Sequence, residues 1–158
     1  MNATETRLLT IPQWRELAQH GAVLPMCIPL DGDSMRPLIR RGRDRVTFVP
    51  LDRQLKRGDV ALFESPPGRY VAHRVYRLKG NRAQTLGDHC RNPDLWLPVS
   101  AVLGLAIQVE RGRLKIPLDC PFMRALGRIW MALLPLRRGY WKSRALAERA
   151  LRKAGLRR

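Results

Sequence analysis

A serine, a histidine and two aspartates stand in this chain inside short, distinctive phrases. Ser34 lies in Gly32-Asp33-Ser34-Met35-Arg36-Pro37, His73 in Tyr70-Val71-Ala72-His73-Arg74-Val75, and Asp88 in Leu86-Gly87-Asp88, with Asp94 six residues further on. A serine hydroxyl is a poor nucleophile until a neighbouring base takes its proton, and histidine is best matched to that task near neutral pH. An acid behind the imidazole would hold its tautomer and stabilise its charged form. Asp94 and Asp88 both qualify; Asp94 is favoured as the group that orients His73, with Asp88 as structural support or a second partner.

Each residue also has a plainer role. Ser34 could be a helix N-cap, and His73 a satisfied core residue on an apolar strand face. Asp88 could close a turn after Gly87, and Asp94 could cap the segment after Pro93. Asp59, after Gly58, reads as a turn residue. No lysine lies within five residues of His73, so a Ser–Lys pair would have to recruit Lys56 or Lys79.

The elements that must position these groups follow from pattern. Ile11 to Gln19 predicts a short helix, with Thr10 as cap, Pro12 in the first turn, Gly21 as stop and Trp14, Leu17 and Ala18 inward. Val23 to Leu30, interrupted by Pro25 and Pro29, predicts an edge strand that delivers the chain to Ser34. Asp33 or Ser34 then caps a short helical turn through Ile39, with Pro37 in its first turn. Free N–H groups at such a helix start would face a developing oxyanion, Ser34 N–H first.

Arg45 to Val49, Asp59 to Phe63, Tyr70 to Leu78 and Ala83 to Leu86 read as strands. Turns at Pro66-Pro67-Gly68 and Lys79-Gly80-Asn81 separate them. On the third, His73 shares a face with Val71 and Val75, whereas Ala72, Arg74 and Tyr76 face the other way. Val102 to Glu110 and Arg113 to Ile116 predict a hairpin across Arg111-Gly112. The sum is a mainly β fold, a small, partly closed sheet or barrel. Beyond Pro117, Phe122 to Leu134 is strongly apolar and stops at Pro135. Lys142 to Ala154 then places Leu146, Ala147, Ala150, Leu151 and Ala154 on one helical face. The division expected is an N-terminal helical segment (1–22), a β domain (23–118) and a basic helical tail (119–158).

The ordered phrases "GDSMRP", "RGDVALF", "YVAHRV", "TLGDHCRNPD" and "VLG", spread from Pro29 to Gly104, resemble the S24/S26 serine peptidases, in particular the signal-peptidase branch with histidine in place of lysine. The resemblance covers about half of the chain. It implies a signal peptidase/LexA-like β domain and an endopeptidase in which Ser34 is the nucleophile and His73 the base. The aspartates Asp88 and Asp94 match those that come after the base strand. It further implies an extended peptide or precursor-protein substrate with small side chains near the cut. Gly32 stands where many lysine-type relatives carry a hydroxyl that assists the oxyanion, so that donor is absent here. The alternative is a non-catalytic module that binds a peptide or partner, as the dimerising domains of S24-type repressors do.

The 158 residues carry a formal charge of +17, from 30 basic and 13 acidic residues. Residues 111–158 hold 14 of the basic and 2 of the acidic ones, so the tail would be drawn to polyanions. Trp130, Tyr140 and Trp141 beside Arg137-Arg138 suggest an anchor on an anionic membrane surface; packing of Phe122 to Leu134 on the sheet is the competing expectation. No helix-turn-helix, zinc-finger or aromatic-sheet signature supports nucleic acid as a partner. Cys27, Cys90 and Cys120 form no disulfide framework, which fits a reducing compartment. His89-Cys90 lacks paired metal-ligand spacing, so neither metal nor other cofactor is expected. Met1 to His20 does not read as a secretory signal, and no window reaches the roughly 20 apolar residues of a span. A cytoplasmic or peripherally bound protein is the expectation, and the sequence leaves its oligomeric state open.

Overall fold

Residues 9–65 and 68–153 are described in the computed structural model of the chain. Pro66 and Pro67 of one expected turn, and Ala154 of the expected tail face, lie outside them. Eight strands form one antiparallel sheet: β1 (Met26–Pro29), β2 (Asp44–Pro50), β3 (Val60–Glu64), β4 (Tyr70–Lys79), β5 (Arg82–Leu86), β6 (Leu97–Pro98), β7 (Val102–Arg111) and β8 (Leu114–Pro117). Their order is β1-β2-β7-β3-β4-β5-β6, with β8 also on β7. The protein is therefore mainly β, and its sheet curls into a half-barrel. β7 is the hub: β2 runs along one edge, whereas β3 and β8 share the other, opposite Val102–Leu105 and Gln108–Arg111 respectively.

Three helices flank the sheet: α1 (Ile11–Gln19), α2 (Pro121–Ala132) and α3 (Leu134–Lys153). Thr10 and Gln13 close a capping box at the start of α1, which satisfies two N–H groups that the first turn leaves free. Of its three inward candidates only Trp14 is buried; Leu17 is exposed and Ala18 partly so. One indole is enough, since Trp14 fills the core with Val46, Phe48 and Leu62 and donates to the Leu24 carbonyl at 2.7 Å.

Curling buries β3 on both faces. Val60 and Leu62 join the cluster under α1, whereas Ala61 joins Val75, Ala83 and Leu105 in a second cluster. A smaller one unites Leu86 of β5 with Met131 and Leu134 of the helices.

Two expectations need correction. Residues 34–38 are a run of turns, not a helix. Arg36 N–H reaches the Asp33 carbonyl at 3.2 Å, but Pro37 has no N–H with which to add the next helical bond. Nor does the final helix wait until Lys142. It starts at Leu134 with Pro135 in its first turn, where a missing N–H costs nothing.

Candidate active site

Ser34 is fixed by its neighbours. Met35 and Ile39 are both buried in the core, and Ile39 N–H donates to the Met35 carbonyl at 2.9 Å. With those side chains held inside, the turn leaves Ser34 half-buried at the rim of an open cleft of about 440 Å³. Ser34, Phe63, Tyr70, His73, Cys90 and Asp94 are among its lining residues, and no lysine is. Lys56 lies elsewhere, beside Arg124 and Arg128.

His73 comes to the cleft from β4, opposite Ala61 of β3, with the Phe63 ring edge-on at 6.2 Å. Its Nδ1 is 2.7 Å from Asp94 Oδ2. Since the carboxylate accepts, Nδ1 carries the hydrogen and Nε2 presents its lone pair. Asp94 is itself held. Thr85 Oγ1 donates to the same Oδ2 at 2.7 Å, Asp94 N–H donates to the Thr85 carbonyl at 2.8 Å, and Gln84 Nε2 donates to the Asp94 carbonyl at 3.0 Å. β5 thus orients the acid that orients the base.

Gly87 measures how closely base and serine segment approach. A Cβ built there would lie 2.8 Å from the Ser34 carbonyl oxygen and 3.0 Å from His73 Nε2. Among the described residues no hydrogen bond joins Ser34 Oγ to His73, and Ser34 N–H and Met35 N–H donate none. His89 N–H takes the Ser34 carbonyl at 2.7 Å, tying the 88–94 loop to the serine turn.

Asp88 has a different partner. Arg74 grips both its oxygens, Nε to Oδ1 at 2.8 Å and a terminal nitrogen to Oδ2 at 2.7 Å, and donates to the Gly58 carbonyl at 2.8 Å. The pair is buried. Gly127 of α2 covers it so closely that a Cβ there would lie 2.7 Å from Arg74 Cζ. Asp59 closes the turn before β3 by accepting Lys56 N–H at 2.8 Å, and also accepts both arms of Arg53.

Residues of the basic tail complete the surroundings. Trp130 Nε1 donates to the Asp88 carbonyl at 2.9 Å, Arg137 donates to that same carbonyl, and Arg138 donates to the Arg91 carbonyl at 2.7 Å. The Arg137 guanidinium lies over the Trp130 and Trp141 rings at 4.3 and 5.1 Å. Trp130, Trp141 and Arg137 thus clamp the 88–94 loop. Cys90 also lines the cleft. Burial first, and the nearby Asp94 charge second, push its thiol up, which disfavours the thiolate that a cysteine nucleophile needs.

Among the described residues, one edge of β4 beside the base pairs with no strand. β5 pairs with β4 from Arg74 onward, leaving Tyr70 to His73 without a strand on that side. Val75 N–H and C=O point to the Gly58–Asp59 side, so by alternation those of Tyr70 and Ala72 point to the open edge. No helix of the described residues is long and apolar enough to cross a membrane. Compared with known proteins, the chain matches no family model and no curated protein.

Proposed function

We propose that this protein is a serine endopeptidase of the signal-peptidase-like type, with Ser34 as nucleophile, His73 as general base and Asp94 as its orienting acid. The observation that carries the reading is the 2.7 Å bond from His73 Nδ1 to Asp94, which leaves Nε2 facing the cleft that Ser34 lines. Asp88, engaged by Arg74, supports the loop and takes no part in proton transfer.

Ser34 Oγ attacks a peptide carbonyl carbon while His73 Nε2 takes its proton. The tetrahedral oxyanion is met by Ser34 N–H, which has no other partner among the described residues. Collapse breaks the C–N bond as the imidazolium hands its proton to the leaving amine, giving an ester on Ser34. Water, deprotonated by the same Nε2, then attacks the ester and frees Ser34. A serine–base hydrogen bond that is open in the free enzyme and closes on substrate binding is common in such sites. An extended peptide or precursor segment suits the unpaired edge of Tyr70 and Ala72, where main-chain pairing supplies affinity and the cleft wall selects side chains.

The test is covalent labelling. A serine-reactive fluorophosphonate should modify the wild-type chain at Ser34, and both Ser34→Ala and His73→Ala should abolish labelling. Wild-type protein that stays unlabelled across a panel of such warheads overturns the peptidase and favours the peptide-binding module.

A further inference from the structure

An apolar stripe is left uncovered along α2 and α3. Phe122, Leu126, Ile129, Leu133, Leu136 and Tyr140 succeed one another at alternating steps of four and three residues, and all are between 39 and 72% exposed. Steps of that size keep side chains on one helical face. The junction between the helices does not disturb the phase. Leu133 N–H donates to the Ile129 carbonyl at 3.1 Å and Arg137 N–H to the Leu133 carbonyl at 3.0 Å, so helical bonding resumes on both sides of Pro135. The opposite face is buried as far as Leu134, through Gly127, Met131 and Leu134.

From residue 122 to 140 the stripe runs about 27 Å, far more than the scattered single apolar side chains of an ordinary surface. Ala125, Ala132 and Gly139 border it and broaden the face. Arg128 stands exposed on one flank. On the other, Arg36, Arg40 and Arg137 line an open groove with His89, Tyr140 and Trp141, and no carboxylate lines it. Burial depresses the Arg137 pKa, so its charge lacks full solvation.

Charge selects the occupant. Residues 111–158 carry 14 basic and 2 acidic side chains, so a second copy seated on this face would bring two strongly positive tails together. A broad apolar face flanked by cations matches the interface of an anionic bilayer, where rings and aliphatic chains enter the headgroup boundary. We propose that α2 and α3 seat this protein on an anionic lipid surface, with headgroup phosphates against the Arg36–Arg40–Arg137 groove. Lipid seating is independent of the peptidase reading, because its test measures no hydrolysis.

The experiment is flotation of the full chain with vesicles of phosphatidylcholine, with and without phosphatidylglycerol. Binding is expected only to the anionic vesicles and should weaken with added salt. Ile129→Asp with Leu136→Asp should reduce it about tenfold or more. Arg36→Ala and Arg40→Ala should each weaken it about fivefold. Should the double aspartate variant lose its circular dichroism signal, Phe122→Ser with Leu126→Ser carries the same test. Binding to neither vesicle, or equal binding to both, overturns the proposal. So does lipid-free self-association that the same stripe substitutions abolish, which would assign the face to a second copy.

Discussion

His73 and Arg74 are consecutive on β4, lie on opposite faces of the sheet, and each holds one aspartate of the same loop: Asp94 at 2.7 Å and Asp88 at 2.7 and 2.8 Å. One dipeptide thus fixes both ends of the 88–94 segment. The cleft face receives the carboxylate that orients His73, and the opposite face receives a buried ion pair.

Asp94→Asn is expected to leave the fold intact and to slow fluorophosphonate labelling of Ser34 by about 10²- to 10⁴-fold. The amide can donate to Nδ1 and so favours the wrong imidazole tautomer. Thr85→Val should produce a smaller loss, since it removes one of the two donors onto Asp94 Oδ2. Labelling rates for the three proteins, beside their circular dichroism spectra, provide the check. Equal rates in Asp94→Asn and wild type would remove Asp94 from the mechanism.

Arg74→Met should act on stability first. It leaves the Asp88 carboxylate buried and unpaired, a change that typically costs about 3–5 kcal/mol. Urea unfolding measures it, and Arg74→Met with Asp88→Leu should recover part of the loss. A single variant as stable as wild type would show that the pair contributes little.

Gly87→Ala introduces a methyl group 2.8 Å from a backbone oxygen of Ser34 and 2.6 Å from Cys90 Sγ. The serine turn and the base must separate to admit it. Overpacking of this kind costs about 1–3 kcal/mol, and labelling should fall by more than the loss of folded protein explains. Cys90→Ala should relieve only the contact with sulfur.

Arg137→Ala removes a donor to the Asp88 carbonyl and the cation between two indoles. Amide exchange in residues 88–94 should rise while the β2–β7 core stays protected. Labelling of Ser34 should slow, with Arg137→Lys restoring little of the planar stacking. Unchanged exchange in the loop would refute the clamp.

The acid limb of stability should depend on Asp44. Hydrogen bonds from Arg111 hold its carboxyl below the ordinary value; burial opposes this, and Arg40 N–H assists. A lowered folded-state pKa means that the stabilisation is present above the unfolded value, about 3.9, and is lost as pH falls below that toward the folded value. Wild type should therefore exceed Asp44→Asn in urea stability near neutral pH, and the gap should close on acidification. A gap that stays constant with pH would disprove the linkage.

Local pattern decides local structure, and here it does so well. The bounds of α1, the β4–β5 and β7–β8 turns and the run of short strands come from caps, glycines and alternation, because each needs only neighbours a few residues away. Ser34 and His73 stood out for their surrounding phrases, but two aspartates stood as candidates for the imidazole, with Asp94 only favoured. Only the curl of the sheet and the course of the 88–94 loop chose between them, giving Asp94 to His73 and Asp88 to Arg74. The same holds for Trp130, Arg137 and Arg138. Their composition suggested a surface anchor and left packing on the sheet as the competing expectation, whereas contacts across more than 40 residues make part of the tail a brace for the loop, since burial and hydrogen bonding depend on where distant segments meet.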